Sequence, residues 1–169
     1  RFAEGQHGPP GAVARGLPAQ PALTVADTQV DFYLLGAADP RARLTTACRI
    51  AEKACDQGLR VAVRTASPSE TAELDDLMWT FSDRSFVPHA VWPAEPSVAD
   101  ETPVLLASGA LPASHRDVLI NLAADTPADA AVFGRICEIV GADADAKQRA
   151  RLRWRGYREA GLSPASLDV

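Results

Sequence analysis

Apolar residues recur along this chain with two periods, and the two periods alternate. Val30-Asp31-Phe32-Tyr33-Leu34-Leu35 is a nearly continuous apolar run ending at Gly36, the pattern of a strand covered on both faces. Asp39-Pro40 then offers a cap and a first-turn proline, and Leu44, Ala47, Cys48, Ala51, Ala54 and Cys55 follow at three- and four-residue steps as far as Gly58. This spacing predicts a helix. Arg60-Val61-Ala62-Val63-Arg64 predicts a second strand, and Ser67-Pro68-Ser69-Glu70 has the spacing of a capping box opening a helix through Trp79. Residues 80–103 read as loop-rich, and Val104–Ala107 and Val118–Leu122 as further short strands. Thr126-Pro127 is expected to start another helix, with Phe133, Ile136, Cys137 and Val140 as its i, i+3, i+4, i+7 stripe before Gly141. A last helix is expected from Ala144 to Ala160, stopped by Gly161.

Strands alternating with helices predict an α/β fold, a single domain with a mainly parallel sheet flanked by helices on both faces. It is Rossmann-like but without a nucleotide-binding loop, because the turn Gly36-Ala37-Ala38-Asp39-Pro40 lacks both glycine fingerprints that cradle phosphates. The domain is expected over residues 29–163. Residues 1–28, with Gly8-Pro9-Pro10-Gly11, Pro18 and Pro21 and little periodicity, read as an N-terminal arm, and residues 164–169 as a C-terminal tail.

Composition narrows the function classes. The 169 residues, 47% hydrophobic, suffice for one core, and no run of 18 apolar residues or basic-apolar leader occurs, so a cytoplasmic protein is expected. A net charge of −5 argues against a surface built for nucleic-acid phosphates. Yet Lys147, Arg149, Arg151, Arg153, Arg155 and Arg158 crowd near the C-terminus. Cys48, Cys55 and Cys137 lack both disulfide and zinc spacing and read as core thiols, so neither metal nor cofactor is expected. His7, His89 and His115 read as unconnected loop histidines. Asp75-Asp76 and Asp143/Asp145 read as solvated faces or first-turn caps. No catalytic set emerges, although an α/β enzyme binding a nucleotide or cofactor remains the alternative, since site residues need not be close in sequence. A third reading is direct nucleic-acid binding through the C-terminal helix.

Two constellations point to protein binding. Leu74-Asp75-Asp76-Leu77-Met78-Trp79 is followed after a turn by Ser85-Phe86-Val87-Pro88-His89, so proline stiffens the backbone beside Phe86 and Trp79 can reach the same side. Completion of the core beneath a loop is the reading that the residues alone favour for both aromatics. In the last helix Arg151, Trp154, Arg155 and Arg158 fall at i, i+3, i+4 and i+7, an indole flanked by guanidiniums that can grip carboxylates. An ordinary solvated basic face is the competing reading, and Arg149 and Arg153 are expected to belong to one.

Six segments in order resemble the chi subunit family of the bacterial DNA polymerase III holoenzyme: Phe32–Leu35, Ala47-Cys48-Arg49 through Gly58–Val61, Leu74–Trp79, Ser85–His89, Val118–Leu122 and Ala150-Arg151 to Tyr157-Arg158. The resemblance covers about residues 29–162 and implies a non-catalytic clamp-loader adaptor with two partners. One is the psi subunit, facing Trp79, Phe86, Val87 and Pro88. The other is the acidic C-terminal tail of single-strand DNA-binding protein, with Arg151 and Arg155 meeting carboxylates while Val140 and Trp154 line a slot for a terminal Phe. DNA would be met only indirectly and a membrane not at all. Two departures stand out: Val91-Trp92-Pro93-Ala94-Glu95-Pro96 replaces a glycine-rich family segment, and Trp154 stands where a tyrosine is usual.

Overall fold

In the computed structural model, which describes residues 27–169, the chain builds one seven-stranded sheet with four α-helices. The elements are β1 (Gln29–Leu34), α1 (Pro40–Asp56), β2 (Val61–Arg64), α2 (Pro68–Thr80), β3 (His89–Val91), α3 (Pro96–Glu101), β4 (Val104–Ala107), β5 (Val118–Asn121), β6 (Arg135–Val140), α4 (Ala144–Glu159) and β7 (Pro164–Asp168). The strand order is β3-β4-β2-β5-β6-β1-β7, and every pair is parallel. The α/β class with a flanked parallel sheet is therefore the fold.

Local chemistry explains the helix ends. The Asp39 carboxylate accepts from Arg41 N–H at 2.9 Å, Ser67 Oγ from Glu70 N–H at 3.1 Å, and Asp143 from Ala146 N–H at 2.7 Å, each satisfying a donor the first turn leaves free. Glu70 turns back to accept from Ala66 N–H at 2.7 Å, one residue before the cap. At the far ends of α1 and α4, Gly58 and Gly161 adopt φ of 75° and 85°, and Leu59 and Leu162 donate back to Ala54 and Tyr157.

The strands' period-two alternation sorts two cores. On one face, α1 and α2 bury Leu44, Ala47, Cys48, Leu74 and Met78 against Val61, Val63, Leu106, Ile120, Cys137 and Ile139. On the other, α4 buries Ala150 and Tyr157 against Val30, Phe32, Leu119, Ile136 and Val140. Burial pushes the Cys48 thiol up to about 12 and Cys137 up to about 11, as expected of packed core thiols.

Three expectations need correction. The helix expected from Thr126 to Val140 is instead a loop, a short 3-10 turn at Ala130–Val132, and strand β6. Its apolar spacing fits a helix, but Ile136 and Val140 face α4 while Cys137 and Ile139 face α1, the two-sided burial of a central strand. The expected tail 164–169 supplies edge strand β7, which pairs with β1. Within the loop-rich stretch, β3 and α3 form, so His89 opens a strand and is buried rather than lying in a loop, and His115 is also buried. The N-terminal arm and His7 lie outside the described residues, apart from Asp27 and Thr28.

Candidate functional site

A groove of about 270 Å³ runs between α4 and the β1–β7 edge of the sheet. Its floor holds Phe32, Leu34 and Val140, β7 contributes Ser166, and α4 contributes Lys147, Arg151 and Trp154 at i, i+4 and i+7. Trp154 is half-buried, its ring tilted at 52° against Phe32 with centroids 5.1 Å apart, so one indole face packs while the rest borders the groove. Arg151 is exposed, and its one hydrogen bond among the described residues is to Gln148 at 3.5 Å, which leaves its guanidinium open to a ligand carboxylate.

What aims these side chains is a buried polar cluster beneath α4. Glu138, in the middle of β6 and fully buried, accepts from Arg153 Nε at 2.8 Å, from Asn121 Nδ2 at 2.8 Å and from the Tyr157 hydroxyl at 2.6 Å. Burial holds the Glu138 carboxyl above the usual carboxylate range, and the Arg153 guanidinium with the three hydrogen bonds offsets only part of that rise. Arg153 and Tyr157 thus fix the rotation of α4 about its axis. At roughly 100° per residue, the side of the helix next to this buried stripe carries Lys147, Arg151 and Trp154.

The same geometry corrects two arginine assignments. Arg153, expected on a solvated face, is buried in the Glu138 pair. Arg155, expected beside Arg151 in the pocket, is exposed and does not line the groove, because one residue on from Trp154 it lies about 100° further round the helix, away from the sheet. Lys147 lines the groove and was missed as a site residue. Its place at i−4 from Arg151 and i−7 from Trp154 was the available signal.

The second constellation lies on the opposite face, near the β3 edge. Trp79, in the last turn of α2, is 54% exposed, and Phe86 is 69% exposed. Their centroids lie 5.6 Å apart, and Trp79 also stacks on His89 at 4.6 Å. Both aromatics form a surface rather than completing the core. The His89 ring ties this surface together: Nδ1 donates to the Val87 carbonyl at 2.6 Å, and Nε2 lies 3.1 Å from Asp75 on α2, off the line of a hydrogen bond. Pro88 is exposed, but Val87 is buried in the α1–α2 core, so its side chain cannot face a partner. From the β3 edge to the β7 edge is six strand spacings, roughly 29 Å.

A second hollow, of about 430 Å³, opens at the carboxyl ends of β5 and β6, where α/β folds commonly bind ligands. Its Arg43 is held by Glu70 at 2.9 Å and by the Leu122 carbonyl, and its Arg153 by Glu138. The helix N-termini that face it are capped by the Asp39 and Asp143 carboxylates, which would oppose an anion there.

Comparison with known proteins decides the family. The family model described as "DNA polymerase III chi subunit, HolC" matches residues 28–165. This chain belongs to the DNA polymerase III chi subunit family, and so to the DNA-replication machinery. It is 43% identical to a Pseudomonas aeruginosa protein named DNA polymerase III subunit chi over 134 residues, which cover 79% of this chain and 92% of the relative. The Escherichia coli K12 protein of the same name is 31% identical over 117 residues, or 69% and 78% of the two chains. Among solved structures, the crystal structure of T4 UvsW matches with a TM-score of 0.57 at 8% identity, over 86% of this chain and 42% of that one. That likeness concerns the fold alone. No helix among the described residues is long and apolar enough to cross a membrane.

Proposed function

We propose that this chi-family chain is a non-catalytic adaptor that binds the acidic C-terminal tail of single-strand DNA-binding protein in the α4–β7 groove and a psi-type subunit on the Trp79–Phe86 surface. The observation that carries the reading is the row Lys147, Arg151, Trp154 bordering an apolar floor of Phe32, Leu34 and Val140. Two cations beside a slot suit a peptide that carries carboxylates and ends in an aromatic ring. Each charge-assisted bond contributes roughly 1.5–3 kcal/mol, and two or three of them with a buried ring give about −8 kcal/mol, a micromolar Kd. Binding of that strength gains effect through multivalency, because several tails on one coated DNA strand raise the local concentration.

The other surface supports the partner assignment by its chemistry. Two exposed aromatics braced by a proline-stiffened turn and a buried histidine are the usual anchors of a protein interface. Opposite edges and opposite faces leave room for both partners at once, as an adaptor requires.

The test is titration of a fluorescent acidic peptide ending in Phe into the full chain. The reading expects micromolar binding that weakens as salt rises, is lost in K147E/R151E, and is kept in W79A/F86A. Unchanged binding in K147E/R151E would remove the groove from the mechanism. A saturable shift of thermal stability with ATP or a dinucleotide would favour the enzyme alternative instead.

A further inference from the structure

The α1 side of the sheet holds a larger depression than either surface above. Parallel sheets bury both faces, and here α1 packs over β5 and β6, leaving the β1–β7 margin on that side without a helix among the described residues. The result is a groove of about 650 Å³ floored by Tyr33, Leu35 and Cys137. Its outer margin is apolar as well: Leu167 pairs in register with Tyr33 and so lies on the same face, 42% exposed, and Val169 beyond it is 61% exposed. Along the other wall, α1 presents a second stripe, Thr46, Arg49, Ile50, Lys53 and Gln57, at helical spacing beside its fully buried one.

Charge and length narrow what fits. Arg49 and Lys53 are exposed and make no ion pair among the described residues, and Arg135 adds a third cation, held by Asp31 at 2.6 Å. Asp117, the one acid lining the groove among the described residues, already accepts from Arg60 N–H at 2.8 Å. A basic rim on a chain of net charge −5 singles this face out. The α1 wall from Ala42 to Gln57 spans about 23 Å, the length of a helix of roughly sixteen residues.

We propose that this groove is a docking site for an amphipathic α-helix of another protein, whose apolar face covers Tyr33, Leu35, Ile50 and Leu167 and whose flanking Asp or Glu residues meet Arg49 and Lys53. The helix would cover the margin that no helix of the described residues covers. The site is separate from both surfaces of the adaptor reading and stands or falls without them.

The probe is a phage-displayed library of random sixteen-residue peptides, fused so that no C-terminal carboxylate is free, selected on the full chain. The proposal expects enriched sequences with apolar residues at i, i+3/i+4 and i+7 and flanking acids. It further expects synthetic copies to bind R49E/K53E at least tenfold more weakly and R151E with unchanged affinity. Enrichment of no acidic helix, or equal binding to R49E/K53E, overturns it. So does either alternative occupant: a chain dimer dissociated by R49E/K53E in sedimentation, or residues 1–26 already protected from hydrogen exchange in the monomer and released by that variant.

Discussion

Arg149, Arg151, Arg153 and Arg155 alternate within seven residues of one helix and have four different surroundings. Arg153 enters the protein to pair with Glu138, Arg151 borders the groove, Arg149 lines the carboxyl-end hollow, and Arg155 faces solvent. Their energetic weights differ accordingly. Arg153→Ala leaves Glu138 buried without its cation and should cost roughly 3–5 kcal/mol, whereas Arg149→Ala should stay within about 0.5 kcal/mol. Urea denaturation of the two variants checks this, and equal midpoints would contradict the role given to the Glu138 cluster. At this scale the sequence shows that the basic residues crowd together but not which of them is buried. The distinction depends on Glu138, an acid in the middle of an apolar strand, and that strand reads as part of a helix until its two-sided burial is known. Once Glu138 is placed, Arg153 and Tyr157 follow at i and i+4.

Helix α4 itself is legible from its cap and its stop, Asp143 and Gly161, while its closest neighbour is not. Gly156 lies against the loop before β6: a Cβ there would come within 2.6 Å of Thr126 Oγ1 and 3.3 Å of Thr126 Cβ. Gly156→Ala should therefore push α4 away from the sheet, lowering stability by about 1–3 kcal/mol and weakening tail-peptide binding with it. The double variant G156A/T126G removes both contacts and should recover most of the loss; a thermal melt in which the double variant is no better than G156A would refute the close approach. Strand β7 escapes a sequence reading for a related reason. Its five residues are mostly exposed and carry one large apolar side chain, Leu167, so the pairing with β1 that makes it a strand leaves little periodicity to read. Helices α1 and α2, with capping residues, first-turn prolines and long periodic stripes, were readable throughout.

At the level of the whole molecule, the order and class of most elements follow from the alternation of periods, whereas the two surfaces owe their separation to strand order, which the sequence does not print. Burial of a histidine beside the sheet also gives the molecule a pH response. Burial holds His115 below its ordinary value of about 6.5, with Nε2 donating to the Thr102 carbonyl at 2.7 Å. The unfolded chain takes up this proton before the folded one, so the stability contributed is complete above pH ~6.5 and is lost as pH falls from there toward the folded value. Urea midpoints at pH 7.5 and 5.5 should fall less in H115Q than in the parent; equal drops would remove His115 from the response. The claim on which the rest depends is that the acidic tail enters the α4–β7 groove and leaves the Trp79 surface free. The three tryptophan indole N–H signals of the full chain, followed by NMR while an acidic peptide ending in Phe is added, test it directly. The Trp154 signal should move saturably and the Trp79 signal stay in place; movement of Trp79 with Trp154 unmoved would contradict the assignment.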